Sequence, residues 1–219
     1  MSQMARKTAG VPTLKRLPLY LRLLRRMKEN GDEYASGAVV ARELGIDPIV
    51  VRKDLSITGA VGRPRLGFPV DEIIAAIEEF LGWSNTTDAF LVGVGNLGTA
   101  LLGYQGFDQH GLRIVAAFDS NPEVIGRKLH GKTILDIQEM PDLARKMHIQ
   151  IGILTVTASV AQQVADSMID SGIRGIWNFT PASLEVPDHV ILHREELASS
   201  LAVLSHRLLL LTPNINTDK

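Results

Sequence analysis

The 219-residue chain contains no cysteine. That excludes a thiol switch, a Cys-ligated zinc finger and a disulfide scaffold. It also lacks any uncharged apolar run of about 18 residues, the length a membrane-spanning helix needs, so no membrane partner is expected. Arg6, Lys7, Lys15 and Arg16 interrupt the leading residues. No signal-peptide core is therefore expected, and the predicted location is cytoplasmic. None of the six histidines (110, 130, 148, 189, 193 and 206) falls in a recognisable acid–base arrangement with a carboxylate. No catalytic residue and no metal site is predicted.

Charge is present but unevenly placed. Residues 1–70 hold 13 Lys and Arg against 6 Asp and Glu, whereas residues 71–219 hold 10 against 18. A basic front joined to an acidic back points to two domains with different partners. The predicted domains are 1–82 and 83–219.

In the front part, Leu17, Leu21, Leu24 and Met27 make one stripe of a helix that Gly31 stops. Ser36 caps a second helix that ends at Gly45, and Asp47 with Pro48 opens a third. The short interval between the last two is that of a helix-turn-helix. Val51 and Leu55 face inward, so Arg52 and Lys53 project where a recognition helix meets the major groove. "GAVGRPRLGFPV" then reads as a hairpin wing carrying Arg63 and Arg65. Its cations suit phosphates or a minor groove. A bundle that binds protein, with a solvated loop beside it, is the alternative. Residues 71–81 read as a helix bridging the two domains.

In the back part, "AFLVG" is a continuous apolar strand followed by Gly93-Val94-Gly95-Asn96-Leu97-Gly98. The three glycines fit a tight turn, an approach of pyrophosphate to the backbone and close helix–strand packing. The phosphates would then lie at a helix N-terminus. A second strand, "LRIVAAFD", ends at Asp119, where an acidic side chain accepts hydrogen bonds from a ribose hydroxyl and repels a 2′-phosphate. NAD(H) is the first expectation, with FAD, S-adenosylmethionine or CoA as alternatives. Further strands are predicted at 149–156, 175–179 and 189–193, and a helix at 158–171. Such alternation gives a Rossmann-like doubly wound parallel sheet. Its carboxyl edge would bring Thr155, Val156 and Thr157, together with Asn178, Phe179 and Thr180, near the cofactor, although Thr and Asn serve equally as loop caps. The last segment, about 194–211, carries Leu197, Leu201, Leu204, Leu208 and Leu211 on one stripe, with Leu209 and Leu210 beside it. A helix this apolar is expected to be buried on more than one side, against a second subunit or its own domain.

A back part of this length leaves no region to orient a substrate. A sensor is the better reading, and an NAD-dependent oxidoreductase with a basic accessory domain is the rival.

Six segments, "LKRLPLYLRLL", "VRKDLS", "GFPVDEI", "VGVGNLGTALLGYQGF", "NPEVIG" and "GIRGIWNFTP", taken in order over about 11–211, resemble the Rex family of redox-sensing transcriptional repressors. The resemblance implies a winged-helix domain, a Rossmann domain and a homodimer with domain-swapped C-terminal helices. It implies binding to an inverted-repeat operator in double-stranded DNA, released by NADH and permitted by NAD+. Arg52 and Lys53 match the family's major-groove residues, and Arg16, Arg63 and Arg65 its minor-groove or phosphate contacts. Arg22, Tyr104 and Glu196 resemble a switch network, with Glu195 as the other possible acid. Phe107 is implied near the nicotinamide. "SITG" at 56–59 departs from the family's usual Ser-Tyr-Phe-Gly and lacks two aromatic rings.

Overall fold

The computed structural model describes residues 8–211. Contacts divide the chain between Thr86 and Thr87 into two compact units.

The first unit is built on α1 (Val11–Glu29), which buries Leu17, Tyr20, Leu21, Leu23 and Leu24. Met27, at the end of the predicted stripe, is only partly covered. The Ser36 hydroxyl accepts from the Val39 N–H to open α2 (Gly37–Leu44), and Gly45 closes it in the left-handed conformation. The Asp47 carboxylate accepts from the Ile49 N–H at the start of α3 (Pro48–Ile57). A two-residue strand β1 (Tyr34–Ala35) pairs antiparallel with β2 (Phe68–Pro69), which roots the wing. Gly67 sits there with φ 98°, and a Cβ would come within 2.5 Å of the Ala35 carbonyl oxygen. The wing itself is a tight turn. Leu66 N–H donates to Arg63 O, and Arg63 and Gly67 form an isolated bridge.

Helix α4 (Val70–Leu81) corrects the expectation of an interdomain bridge. It packs on α1 and buries Val70, Ile73 and Ile77 in the first unit's own core. The reason is its apolar face at 70, 73 and 77, which burial stabilises by roughly 2 kcal/mol per side chain. Gly82 ends α4 in the left-handed conformation. Trp83 donates back to Glu78 O and packs on the same cluster.

The second unit is a seven-stranded sheet. In chain order the strands are β3 (Thr87–Val92), β4 (Leu112–Asp119), β5 (Lys128–Leu129), β6 (Lys132–Asp136), β7 (Ile151–Leu154), β8 (Gly175–Asn178) and β9 (Ile191–Arg194). The spatial order is β5-β6-β4-β3-β7-β8-β9, parallel throughout except for the β5–β6 hairpin. Strand β3 is covered on both faces. Phe90 and Val92 join a cluster with α6 (Met140–Met147) and α7 (Ala158–Asp170). Ala89 and Leu91 join another beneath α5 (Asn96–Leu102). The chain order reverses between β3 and β7, and ligands of such sheets bind at that switch point. The observed strands are shorter than the predicted 149–156 and 175–179, and the last runs one residue past the predicted 189–193.

Helix α8 (Leu197–Leu211) ends the described chain, and within it the side chains of 198–210 are all exposed. Leu201 is 62% exposed, Leu209 73% and Leu210 74%. The side chains of Leu197 and Leu211 lie outside the described residues. No described helix is long and apolar enough to cross a membrane.

Candidate functional site

A cleft of about 480 Å³ opens at the switch point. Gly93, Gly95, Asp119, Thr155, Val156 and Thr157 line it, so six of the predicted cofactor residues converge there. The three glycines differ in surroundings. At Gly93, with φ 97°, a Cβ would lie 2.8 Å from Thr155 C and Val156 N. At Gly98 it would collide with the Gly93 carbonyl oxygen, which fixes how closely α5 lies on the strand turn. At Gly95 it would meet nothing within 4 Å. That open space beside backbone is what a pyrophosphate group requires. Val94, Asn96 and Leu97 complete the loop without lining the cleft.

Asp119 is held at the end of β4 by the backbone. One carboxylate oxygen accepts from the Val94 N–H at 2.6 Å and the other from the Asn121 N–H at 2.9 Å. A carboxylate has further lone pairs to accept a ribose hydroxyl. The Thr155 hydroxyl turns away from ligand space and donates to Gly93 O at 2.6 Å. It therefore braces the glycine turn. The cleft also holds residues the sequence reading missed: Ser120, Ile137, Gln138, Pro141, Val160 and Gln163. Ser120 follows β4, Ile137, Gln138 and Pro141 follow β6, and Val160 and Gln163 stand on α7; the unpredicted strand β6 is what brings the 137–141 turn to the cleft.

Asn178 and Thr180 do not face the cleft. Both are buried, and they satisfy their own loop. Asn178 Oδ1 accepts from the Thr180 N–H, and Thr180 Oγ1 accepts from the Ala182 N–H. Here the local capping role wins. Tyr104, Phe107 and Phe179 also lie off the cleft lining and are joined through Trp177 into an aromatic row. Ring centroids are 4.9 Å apart for Tyr104–Phe107, 5.6 Å for Phe107–Trp177 and 4.9 Å for Trp177–Phe179. Trp177 was missed, although it stands inside "GIRGIWNFTP". Its indole N–H donates to Glu195 at 3.4 Å, and Glu195 also lies 3.6 Å from His193. Glu196 instead accepts from the Ser199 hydroxyl and lies 3.6 Å from Arg194. Arg22 is exposed on α1.

The first unit presents the cations. Arg52, Lys53 and Ser56 are exposed on α3, and neither basic residue has an ion pair among the described residues. Arg65 stands at the wing tip with φ 69°. A non-glycine residue there holds a sparsely populated conformation, a feature that clusters at functional positions. Arg63 is more committed. It donates to Tyr34 Oη at 2.7 Å, stacks over that ring at 5.4 Å and approaches Glu72 at 3.6 Å.

Arg16, expected to contact DNA, is the most tightly held of the five cations. Its Nε and Nη2 donate to the two oxygens of Asp54, at 2.6 and 2.9 Å. Asp54 also accepts from Tyr20 Oη at 2.8 Å and Thr13 Oγ1 at 2.9 Å. The carboxylate is buried, its side chain only 3% exposed, while that of Arg16 is 26% exposed. Burial works to raise the Asp54 pKa, but the hydrogen bonds from Arg16, Tyr20 and Thr13 outweigh it and hold the group below the ordinary carboxylate value. Burial first, then the bond to Asp54, pushes Tyr20 up to about 12. The Asp54 hydrogen bonds raise the Arg16 pKa further. Asp54 thus ties α3 to α1. It is a residue that sequence reading passed over inside "VRKDLS".

Residues 10–56 match a family model described as "Putative DNA-binding protein N-terminus", and residues 84–182 match one described as "CoA binding domain". The redox-sensing transcriptional repressor Rex of Treponema denticola is 46% identical over 90% of this chain and 94% of its own. That of Bacteroides fragilis is 42% identical over 90% of each. Among solved structures, RSP in complex with β-NAD+ and operator DNA superposes with a TM-score of 0.86 at 33% identity, covering 92% of this chain and 93% of its own. RSP in complex with β-NADH gives 0.83 at 32%, covering 91% and 94%.

Proposed function

The chain belongs to the Rex family of redox-sensing transcriptional repressors, and from that premise we propose how its residues divide the work. It is a repressor that binds operator DNA and answers the NADH/NAD+ ratio. The domains are proposed as 1–82 for DNA and 83–219 for the coenzyme. Lys53 and Arg52 read the major groove, and Arg65 contacts the minor groove or phosphates at the wing tip. Arg63 and Arg16 support that surface while tied to their protein partners.

The cleft fits a dinucleotide, and the open space at Gly95 beside the backbone-held Asp119 is the observation that carries this reading. Asp119 takes the adenosine ribose, and its charge favours NAD(H) over NADP(H). Tyr104, Phe107 and Phe179 form an aromatic wall on the nicotinamide side. NADH and NAD+ differ by one hydride, hence by one positive charge and by ring planarity. Only a differential contact with that ring can shift the protein between DNA-competent and released states. Arg22, Tyr104 and Glu196 or Glu195 are the proposed switch network, and the aromatic row and its bond to Trp177 favour Glu195. A homodimer with exchanged α8 helices presents two α3 helices to an inverted repeat. Half-sites lie about 34 Å apart or a multiple of it. The chain acts in the cytoplasm and turns over no substrate.

The test is a fluorescence anisotropy titration of labelled palindromic duplex with NAD+, with NADH and with neither. NADH should weaken binding by roughly 5- to 150-fold, the range of a coupling of about 1–3 kcal/mol. Equal affinity in all three conditions refutes the sensor. Steady NADH consumption with any added carbonyl substrate favours the oxidoreductase.

A further inference from the structure

Helix α3 exposes a single stripe made of Ile49, Arg52, Lys53 and Ser56, spaced i, i+3, i+4 and i+7. Val51, Asp54 and Leu55 point the other way into the unit. Ile49 is 68% exposed. One exposed apolar residue is ordinary on a protein surface. This one lies in the first turn of the helix, in line with two unpaired cations. Asp54, the nearest acid on the helix, is turned inward onto Arg16. Between Pro48 and Ile57 the outward charge is therefore positive, and the one exposed acid beside it, the Asp47 cap, is engaged by the Ile49 N–H. The guanidinium of Arg52 leans back so that Nε donates to the Pro48 carbonyl, which sets Arg52 beside Ile49.

We propose that Ile49 is a specificity-determining residue that packs on the 5-methyl group of a thymine in the operator's major groove. This rests on the reading of α3 as the recognition helix and deepens it. The residues near the start of a recognition helix are those that reach base edges. On those edges the thymine methyl is the sole apolar group, and side chains such as Ala or Phe recognise it by contact. A β-branched side chain in a helix keeps essentially one χ1 rotamer, so Ile49 loses little freedom in making the contact. Arg52 and Lys53 supply attraction and hydrogen bonds to either side. Ile49 supplies a discrimination that cations cannot, between thymine and cytosine or uracil.

The experiment uses full-length protein with NAD+ and a duplex that the wild type itself selects from a palindromic library. Each thymine is replaced singly by deoxyuridine, which removes only the methyl group. At one thymine per half-site the wild type should lose about fourfold in affinity, the worth of one buried methyl group. In Ile49→Ala that penalty should vanish, while Ile49→Val should keep most of it. An equal penalty in wild type and Ile49→Ala overturns the proposal, and places the apolar contact of Ile49 elsewhere, as on a protein partner. So does a wild type indifferent to every replacement. Failure of the underlying reading has a different signature: no duplex is selected, or Lys53→Ala binds as well as wild type.

Discussion

The two units finish their surfaces in opposite ways. The first closes its apolar core over α1, α2, α3 and α4 and draws its one buried carboxylate, Asp54, into four hydrogen bonds. What it leaves outside on α3 and at the wing tip is basic, with Arg52, Lys53, Arg63 and Arg65. The second pairs every interior strand of its sheet, then leaves outside a helix that exposes Leu201, Leu204, Leu208, Leu209 and Leu210. A polyanion suits the first surface, and the second, by the proposed exchange of α8, would take a second copy of the chain. The difference teaches that each unit is complete as a fold and incomplete as a function.

The largest way to break that contrast is to alter α8. Leu204→Glu with Leu208→Glu should abolish the dimer in sedimentation and reduce operator affinity at least a hundredfold, since each monomer would reach only one half-site. If the double variant stays dimeric, the assignment of α8 to the subunit interface fails. Next is Lys53→Ala, which should abolish specific operator binding in a gel shift while the NADH dissociation constant stays the same. Asp54→Ala should destabilise the first unit by about 3 kcal/mol, because it strands the Arg16 charge and the buried Tyr20 hydroxyl. The second unit should melt unchanged in calorimetry. With Asp54 present, its depressed pKa means that its stabilisation is in place above the unfolded value of 3.8 and is lost as pH falls through the lower native value. Asp54→Asn should flatten that acid limb of the denaturation profile.

Asp119→Ala should weaken NADH by about tenfold, the loss of roughly one charge-assisted hydrogen bond, and leave DNA binding without coenzyme unaltered. An unchanged NADH dissociation constant removes Asp119 from the ribose. The smallest effect sharpens the comparison within the wing. Arg65→Gly should relieve the left-handed turn and stabilise the first unit by at most about 1 kcal/mol, yet lower operator affinity. A variant that gains stability and keeps full affinity shows the strain to be without use.

Much of this was legible in the sequence, and the exceptions have physical causes. The caps at Ser36 and Asp47 and the glycine stop at Gly45 follow from local backbone chemistry, so the helices of the first unit could be read directly. The crowding at Gly93 and Gly98 and the open space at Gly95 were legible for the same reason. What could not be read were pairings set by distance along the chain. Nothing in "VRKDLS" says that Asp54 turns inward, because its partners Thr13, Arg16 and Tyr20 lie on another helix. The short strand β6 hides in a polar segment, and with it the Ile137–Pro141 wall of the cleft. Asn178 and Thr180 could not be assigned between cofactor and loop because a residue at a strand's carboxyl edge has two uses, and here the loop after β8 engages both side chains.

Helix α8 has a consequence for how the repressor is dosed. If two α8 helices cover each other as proposed, the repressor assembles only at concentrations where two chains meet. Promoter silencing should then respond to copy number as well as to coenzyme, steeply and roughly with the square of abundance near the association threshold. A cell that dilutes the protein by growth would loosen its hold on those genes even with no change in its oxidation state.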